Sequence, residues 1–585
     1  MRRNYFVNCS LLLVLLTITL NTAFACQSIE QSKTRITGKI TEPTGDKIQI
    51  ENKTIEISKN GNFQLDMDIK KPSFHSLRYG NDEMIIYLEP GESIDISFNA
   101  KNILFTLQFN GKSDQINSFL KSKPAIDKIV GEYLDAHYLV GGWQNPKLDP
   151  SDRCVFIIDS MKSLYLDPLK NFLKNNGNIS ESFVNLYKTD INLTLNFQLI
   201  RYLDYLEFSA NQNFTLVSSI PEINEYLSQI NIDDPAIMDL QPYARYCGYM
   251  LYLKVSEELQ KNSSLYTSNH QWLDAMLNVV PCMFKNQDVR DYWLYNEVRY
   301  YIDNNGIKNI EESLERFYSL CKTKEFKENI KSSYDNELKR QKDHLVKTYK
   351  TVNGYSLDAH IFIPKGIKKD ELLPAMVIFH GGSWYEGKPD WEFGYADKLV
   401  NVCIEYRTRY RYNSTIFEEV SDAKSAIRWL RMHAQEFHID PHKIIATGNS
   451  AGAHLALCTA MADTTLDEPD EYKAVSSKPD VLVLNSAGYD ATYFFTKSQK
   501  NTISKISPIH LVKENLPPML IFHGTIDTDT PYKDAVDFVQ KMKEKGNLVR
   551  IQPIEGSGHA IWANENYWKV YGKVRSEFFK EIGIQ

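Results

Sequence analysis

The stretch that decides the fold is Lys443-Ile444-Ile445-Ala446-Thr447-Gly448-Asn449-Ser450-Ala451-Gly452, in which an apolar run leads into a serine between two glycines. The residues that follow have helical character, so the serine falls between a predicted strand and a predicted helix. A G-x-S-x-G motif in this position is typical of a nucleophile elbow, whose turn is too tight for side chains beside the serine. The alternative is a purely structural tight turn. The placement favours Ser450 as a nucleophile, lifted above the sheet at the positive end of a helix.

Strands and helices alternate on both sides of this motif. The apolar runs that predict strands are residues 375–379, 400–406, 443–447, 481–484, 519–522 and 549–554. Such alternation predicts a mainly parallel sheet with helices on both faces. Because the carboxyl ends of parallel strands meet at one edge of the sheet, we expect ligands to bind at that edge.

Two further residues are placed to activate the serine. A serine hydroxyl is a poor nucleophile until a base removes its proton and a carboxylate orients that base. Asp527 follows the strand predicted at 519–522, and His559 lies in a loop after the last strand. The chain order Ser450, Asp527, His559 is the one expected when the serine lies on such an elbow. Asp529 is the alternative acid.

The loop after residue 379 predicts an oxyanion hole. His380-Gly381-Gly382 offers unobstructed backbone N–H groups, and the N–H of Ala451 follows the nucleophile. Donors of this kind stabilise the negative oxygen that develops in acyl transfer. We therefore expect Gly381, Gly382 and Ala451 to supply them, whereas His380 and His523 are predicted to be structural.

Residues 346–585 resemble the α/β-hydrolase superfamily, in particular its esterase branch near acetyl-xylan esterases, feruloyl-esterase-like enzymes and relatives of hormone-sensitive lipase. The motifs that carry the resemblance are His380-Gly381-Gly382-Ser383-Trp384, Ala426-Ile427-Arg428-Trp429-Leu430, Ile439-Asp440-Pro441, Gly448 to His454, Pro517 to Asp527 and Gly556 to His559. The resemblance implies a serine carboxylester hydrolase that needs no cofactor. Ser383 departs from the pattern, because many relatives have a third glycine there.

Candidate substrate-binding residues lie near the oxyanion loop. Trp384 and Tyr385, with Trp391 and Phe393 beyond them, offer aromatic faces for sugar rings or feruloyl groups. The alternative is that these rings cover the edge of the sheet. Arg409 and Arg411 follow a strand and are candidates for binding a substrate carboxylate such as a uronic acid. For both arginines a solvated loop is the alternative, and Arg407 is expected to be structural. The expected substrate is an ester, with an acetylated or feruloylated glycan as its main form.

The first residues predict export. Arg2 and Arg3 precede an apolar run at 11–20, and Ala23-Phe24-Ala25 resembles a cleavage site, so residues 1–25 are expected to be a signal peptide. Cleavage there would leave Cys26 first, as in a bacterial lipoprotein, although Ala23 stands where a larger aliphatic residue is usual. The expectation is a periplasmic or outer-membrane-anchored protein whose link to a membrane is a lipid on Cys26. Simple secretion is the alternative.

Two regions precede the hydrolase-like part. Residues 26–110 alternate at period two and predict a small β-sandwich, and residues 111–347 predict a helical domain before a catalytic domain at 348–585. Both regions together resemble the amino-terminal half of lipoproteins common in Bacteroidetes, on the basis of the strand-turn-strand around Leu88-Glu89-Pro90-Gly91-Glu92. The β-sandwich is predicted to be a spacer or docking module. The tyrosines of the helical region are predicted to be core residues, with a ligand-binding surface as the alternative.

Composition excludes several classes of function. A net charge of −7 without a basic tract argues against a nucleic-acid partner. No metal-binding or phosphate-binding motif is present, so no metal or other cofactor is expected. Two alternatives to an esterase remain open: a prolyl-oligopeptidase-like serine peptidase and a non-enzymatic surface glycan-binding lipoprotein.

Overall fold

The computed structural model describes residues 33–137, 154–210, 226–340, 344–389, 398–467, 474–494 and 500–584. The described residues form two compact units, one ending at Tyr252 and the other beginning at Leu253. Cys26, Trp391 and Phe393 lie outside the described residues, as does the expected signal peptide. The domain boundaries expected from the sequence stay predictions.

The first unit begins with eight short strands. They are β1 (Thr34–Thr41), β2 (Lys47–Ile50), β3 (Lys53–Glu56), β4 (Asn62–Met67), β5 (Ser73–Tyr79), β6 (Asp82–Leu88), β7 (Ser93–Asn99) and β8 (Gln108–Gly111). They form two four-stranded sheets with the orders β4-β1-β7-β8 and β3-β2-β5-β6. Alternate side chains of both sheets, such as Ile36 and Leu77, enter one apolar cluster, because successive residues of a strand face opposite ways.

Helices account for most of the remaining described residues of the first unit. They are α1 (Ile103–Thr106), α2 (Asp114–Leu120), α3 (Lys123–His137), α4 (Cys154–Asn175), α5 (Glu181–Ala210) and α6 (Gln241–Lys261), the last of which includes the division between the units. Within the ranges that the structure describes, no helix combines the length and the apolar character needed to cross a bilayer.

The second unit opens with four helices that precede its sheet. They are α7 (Gln271–Met283), α8 (Gln287–Asn305), α9 (Glu311–Leu320) and α10 (Lys324–Arg340). Trp272 of α7 packs against Tyr410, with ring centroids 5.1 Å apart. Lys308, between α8 and α9, bridges Asp358 and Glu405 at 2.6 and 2.7 Å. These helices therefore pack directly on the part of the chain that follows residue 345.

An eight-stranded sheet forms the core of this unit. Its strands are β9 (Leu345–Val352), β10 (Tyr355–Phe362), β11 (Leu373–Phe379), β12 (Val400–Ile404), β13 (Ile439–Asn449), β14 (Val481–Asn485), β15 (Met519–Gly524) and β16 (Val549–Ile554). The order across the sheet is β16-β15-β14-β13-β11-β12-β10-β9. The five pairings from β16 to β12 are parallel, whereas β10 pairs antiparallel with both β12 and β9.

Helices cover both faces of the sheet. They are α11 (Arg409–Tyr412), α12 (Ile416–Met432), α13 (Ala451–Met461), α14 (Lys500–Ile503), α15 (Tyr532–Glu544) and α16 (Glu565–Glu581). Val377 of β11 joins an apolar cluster with residues of α12, α13 and α15, whereas its neighbour Ile378 joins a second cluster with residues of α16. The strands are buried on both sides and read as continuous apolar runs, as parallel strands covered by helices do.

Candidate active site

Ser450 lies at the turn between β13 and α13 in a rare backbone conformation. Its φ is 53° and its ψ is −118°, a region that non-glycine residues enter only where surrounding structure enforces it. A Cβ on Gly448 would lie 2.5 Å from the carbonyl oxygen of Phe379, and a Cβ on Gly452 would lie 2.0 Å from the same atom. Both glycines are therefore required by the close approach of β11, and the turn they permit leaves the serine side chain half-buried at the edge of the sheet.

The structure brings Ser450, His559 and Asp527 together. Ser450 Oγ lies 2.9 Å from His559 Nε2, and His559 Nδ1 lies 2.9 Å from Asp527 Oδ2. A carboxylate only accepts, so the neutral ring carries its proton on Nδ1 and presents Nε2 to accept from the serine. The three residues follow β13, β15 and β16, whose carboxyl ends meet at one edge because these strands are parallel to their neighbours. The arrangement is a nucleophile, a base and an orienting acid in hydrogen-bonded sequence.

Asp527 is held in a dense set of hydrogen bonds. Its Oδ1 accepts from the backbone N–H groups of Asp529 and Thr530 at 2.9 and 3.0 Å, and its Oδ2 accepts from the Thr530 hydroxyl at 2.9 Å. Burial acts to raise the pKa of Asp527, but hydrogen bonds from His523 and His559 outweigh it and hold the pKa well below its ordinary range. Asp527 is therefore ionised wherever the protein is folded at ordinary pH.

Asp529, the alternative acid, contributes its backbone rather than its carboxylate to this network. Its N–H donates to Asp527, and its own side chain is half-buried. Burial, countered in part by His559, raises the pKa of Asp529. The geometry places Asp527, not Asp529, on the imidazole.

Gly381 and Ala451 lie beside the serine, and Gly382 follows in the same loop as Gly381. A Cβ on Gly381 would lie 3.8 Å from the Cβ of Ser450 and 3.1 Å from the carbonyl oxygen of Asn449, so this glycine lies against the elbow. Ala451 begins α13, where backbone N–H groups have no partner within the helix. Gly382, with a φ of +119°, turns the chain beside them. Gly381, Gly382 and Ala451 stay the predicted oxyanion donors, because their N–H groups belong to the loop and the helix start that flank the serine.

Trp384 is buried against other parts of the protein. Its side chain is only 6% exposed, and its Nε1 donates to Nδ1 of His454 at 3.2 Å. His454 Nε2 in turn donates to the carbonyl oxygen of Ile506 at 2.7 Å. The structure gives Trp384 a structural role instead of the expected role in binding substrate, because its indole nitrogen bonds to His454 and its ring packs edge-on against His454 and Phe494. Tyr385 is half-buried and packs edge-on against Trp272 and Tyr410.

The arginines after β12 have different environments. Arg407 is buried and donates to both carboxylate oxygens of Asp422 at 2.8 Å. Arg411 is 2% exposed, and its Nη1 lies 2.7 Å from Oε1 of Glu405. The candidate role of Arg411 in binding a substrate carboxylate is not supported, because a buried guanidinium already paired with a carboxylate has no face for another. Arg409 is half-buried and lines a partly open recess with Ser383 and Trp384.

Several residues at the site were not predicted from the sequence. The Thr530 hydroxyl lies 3.1 Å from His559 Nδ1 as well as 2.9 Å from Asp527 Oδ2. Trp562 places its ring 6.1 Å from that of His559 and is half-buried beside it. An aromatic residue three positions after the histidine was the only signal for Trp562, and a lone threonine after an aspartate carries none.

Two further observations concern the charge of the site and its capacity to hold a metal ion. Burial lowers the pKa of His380 to about 4, so its ring is neutral, and its Nδ1 donates to the carbonyl oxygen of Gly381 at 2.8 Å. Across the described ranges, His, Cys, Asp and Glu side chains form no group of three or more that is placed to hold a metal ion. The chemistry that the arrangement supports is nucleophilic attack by Ser450 on an acyl carbon.

A protein-family comparison matches residues 359–489 to the BD-FAE family. The matched range contains the glycines of the oxyanion loop and the elbow with Ser450, whereas Asp527 and His559 lie beyond it. The C-terminal part of the chain therefore contains a BD-FAE domain, which belongs to the α/β-hydrolase esterases. The fold class predicted for this part of the chain is confirmed.

Curated relatives of the same region are named as esterases. The chain is 26% identical over 230 residues to a probable isoprenylcysteine α-carbonyl methylesterase of Arabidopsis thaliana, covering 34% of this chain and 47% of that protein. It is 26% identical over 217 residues to esterase LipC of Mycobacterium tuberculosis, covering 32% of this chain and 53% of that protein. The chain thus spans about half the length of the curated relatives it matches.

Solved structures of an esterase from the Planctomycetes species Thermogutta terrifontis are also similar. The propionate-bound form is 33% identical, with 42% of this chain and 96% of that chain covered and a TM-score of 0.39. The apo form of that species' esterase 2 is 34% identical, with the same coverage and TM-score.

Proposed function

We propose that the protein is a serine carboxylester hydrolase whose catalytic residues are Ser450, His559 and Asp527. The observation that carries the proposal is the pair of 2.9 Å contacts that join Ser450 Oγ to His559 Nε2 and His559 Nδ1 to Asp527 Oδ2. Hydrogen bonds in this order activate a serine for attack on an acyl carbon. The esterase relatives of the same region support the reaction class.

The reaction begins with transfer of the Ser450 proton to His559 Nε2 as Oγ forms a bond to the ester carbonyl carbon. The imidazolium that results is stabilised by Asp527, whose low pKa keeps it ionised throughout. The carbonyl oxygen becomes an oxyanion, which accepts from the N–H groups of Gly381, Gly382 and Ala451. Each such donor typically contributes about 10²–10³ in rate.

Collapse of this adduct breaks the bond to the alcohol, which leaves with the proton held on His559. Water then attacks the acyl group on Ser450 while His559 accepts its proton, and the second adduct collapses to release the carboxylic acid and restore the serine. The net change is ester plus water to alcohol plus acid, with no electron transfer. The side chains in place therefore suffice for the whole cycle.

The substrate class in this proposal is an acylated polysaccharide or oligosaccharide that carries acetyl or feruloyl groups. Its support is the resemblance of the catalytic motifs to carbohydrate esterases and the half-buried rings of Tyr385 and Trp562 near the site. Arg409 is retained as a candidate contact for a uronate, because its side chain lines the recess beside Ser383. A methyl ester of a modified cysteine, which the name of the Arabidopsis relative suggests, is the competing substrate.

On the same proposal the protein works outside the cytoplasm. The arginines at positions 2 and 3, the apolar run at 11–20 and the Ala-Phe-Ala before Cys26 support export, with a lipid on Cys26 as the link to a membrane. An exported enzyme meets acylated glycans before uptake, which agrees with the proposed substrate.

A panel of esters tests the reaction and the substrate together. The purified chain is assayed with p-nitrophenyl acetate, acetylated xylo-oligosaccharides, a feruloylated arabinose and a prolyl p-nitroanilide. The proposal is supported if kcat/KM is larger for the glycan esters than for the other substrates of the panel. A preference for the prolyl amide would replace the esterase by a peptidase, and a lack of turnover on every ester would reject the reaction class.

A further inference from the structure

The loop that follows the oxyanion glycines is bound to helix α8 at three successive residues. The Tyr300 hydroxyl lies 2.7 Å from both carboxylate oxygens of Glu386. The N–H of Gly387 approaches Oδ1 of Asn305 at 3.5 Å, and Nζ of Lys388 donates to the carbonyl oxygen of Ile302 at 3.3 Å. Residues 386–388 are therefore held by one turn and a half of a helix that lies outside the matched family range.

Glu386 is in direct contact with the oxyanion glycines. The carbonyl oxygen of Gly382 accepts from the N–H groups of Tyr385 and Glu386 at 2.9 and 3.1 Å. A Cβ on Gly382 would lie 2.0 Å from the carbonyl oxygen of Glu386 and 3.5 Å from its Cγ. The backbone of Glu386 thus closes a tight turn over Gly382, and a shift of Glu386 would move the N–H groups that face the oxyanion.

The next residue closes the same turn from the other side. A Cβ on Gly387 would lie 2.0 Å from Nδ1 of His380 and 2.7 Å from the carbonyl oxygen of Gly381. Residues 380–387 therefore pack so closely on one another that no side chain fits at the contact, and a displacement at one end of the turn is passed to the other.

Burying the carboxylate of Glu386 at this position is energetically unfavourable. Its residue is only 7% exposed, and burial raises the pKa of Glu386 to about 7 while the hydrogen bond from Tyr300 acts to lower it. Burial of a carboxylate costs stability, so such a group is kept where its hydrogen bonds fix a specific position. The gain that the contacts indicate is a fixed position for the turn over Gly382.

We propose that Tyr300 and Glu386 are positioning residues that hold the oxyanion N–H groups of Gly381 and Gly382 at the distance from Ser450 that the tetrahedral adduct requires. The inference rests on the proposed function, in which those N–H groups stabilise the oxyanion. It assigns the helix α8 a part in catalysis, because preorganised donors contribute more when their position is fixed before the reaction. A misplacement of about 1 Å at such a site costs on the order of 10²-fold in rate.

Tyr300→Phe tests the inference, with Tyr295→Phe as its matched control. Tyr295 lies on the same helix, is buried where Tyr300 is half-buried, and stacks on Phe326 with ring centroids 4.5 Å apart. We expect Tyr300→Phe to lower kcat for p-nitrophenyl acetate about tenfold to hundredfold, with KM changed less than about twofold, because the donors act on the adduct and not on the bound ester. Tyr295→Phe should leave both constants within about twofold of the wild type.

A second pair of variants separates position from folding. Glu386→Ala should lose as much kcat as Tyr300→Phe, and Glu386→Gln, which keeps an acceptor for the hydroxyl, should recover most of that loss. Because both residues act through one contact, the double variant Tyr300→Phe/Glu386→Ala should be no slower than Glu386→Ala alone. Additive losses, an unchanged kcat in Tyr300→Phe, or a loss that appears in KM instead would each overturn the inference.

The rate at which a fluorophosphonate labels Ser450 gives a readout that does not depend on the natural ester. The phosphonyl oxygen occupies the same oxyanion position, so we expect labelling by Tyr300→Phe to slow by the same factor as kcat. Labelling at the wild-type rate would overturn the positioning role. A wild-type chain that is labelled but hydrolyses no ester would reject the proposed function, and the comparison of labelling rates would still decide the role of Tyr300.

Discussion

Nε2 of His523 lies 3.2 Å from Oδ2 of Asp527, and neither side chain is exposed to solvent. The same nitrogen lies 2.7 Å from the carbonyl oxygen of Thr530, so it carries a proton and donates to both acceptors. Asp527 therefore interacts with two imidazoles, one that fixes it in the core and one, His559, that reaches the serine. Asp527, the acid of the site, is therefore fixed by a buried residue at the end of β15, whereas the base His559 lies in the loop after β16.

Asp527→Asn should lower kcat by about 10⁴-fold with little change in KM. The amide oxygen would accept from the N–H of Thr530, so the amide NH₂ would face Nδ1 of His559. It could then no longer hold the tautomer of His559 that carries its proton on Nδ1. Asp529→Asn is the matched control, since it removes a carboxylate two residues away whose backbone N–H, and not its side chain, bonds to Asp527. It should cost less than about tenfold. The reverse ordering of the two variants would move the acid to Asp529.

Arg411→Gln should destabilise the protein rather than alter substrate recognition. Burial acts to raise the pKa of Glu405, but Arg411 and Lys308 hold it at about 2, so the variant leaves a buried carboxylate with one partner fewer. Loss of one member of a buried pair typically costs about 3–5 kcal/mol, which urea unfolding would measure. An unchanged free energy of unfolding would show that Arg411 is not structural.

Arg409→Gln should weaken the binding of substrates that carry a negative charge. We expect it to raise KM for a uronate-bearing ester and to spare a neutral acetyl ester, because only binding to the carboxylate is removed. Steady-state kinetics on the two esters, with the thermal midpoint as the control for folding, makes the comparison. Equal effects on both esters would reject a role in recognising an acidic sugar.

Glu386→Gln should change how stability depends on pH. The ordinary carboxyl pKa of 4.5 is raised to about 7 by burial, so the protonated form stabilises the fold below pH 4.5 and that contribution is lost as the pH rises to 7. Glutamine stays neutral, so the variant should equal the wild type near pH 4.5 and exceed it above pH 7 by up to about 3 kcal/mol. Thermal melts at pH 4.5, 6 and 8 measure the difference. A difference that stays constant with pH would contradict the raised pKa.

The sequence predicts the fold best at positions where the backbone geometry admits few residue types. Gly448 and Gly452 are required by contacts with Phe379 that almost any side chain would block, so the motif around Ser450 predicts both the turn and the strand beside it. Parallel strand ends then bring Asp527 and His559 to the same edge, which the chain order alone indicates. These inferences depend on local pattern and on one rule of sheet topology.

The side-chain contacts that could not be predicted from the sequence depend on packing between segments that lie far apart along the chain. Trp384 follows the oxyanion loop, as a substrate contact would, yet its Nε1 donates to His454 seventy residues away and the ring is buried. Arg409 and Arg411 stand at alternate positions of the chain and look alike in sequence, but Arg411 is buried in an ion pair with Glu405. The contact of Tyr300 with Glu386 joins a helix to a loop eighty-six residues later, and no local pattern marks either partner.

Export and lipidation of the chain are tested at Cys26. We expect mass spectrometry of the membrane fraction from a bacterial host to find acyl groups on Cys26 as the first residue. Cys26→Ala should release the protein to the periplasm with unchanged specific activity, because the catalytic residues belong to a different part of the chain. Soluble wild-type protein with an unmodified amino terminus would show simple secretion.

The central claim is that Ser450 is the nucleophile of an ester hydrolase, and one measurement tests it most directly. The wild-type chain and Ser450→Ala are compared for turnover of p-nitrophenyl acetate and for covalent labelling by a fluorophosphonate, located by peptide mass spectrometry. The wild type should turn over the ester and carry the label on Ser450, and the variant should lose at least about 10⁴ in kcat and all labelling while unfolding at the same temperature. Turnover by Ser450→Ala at the wild-type rate, or a label on another residue, would contradict the claim.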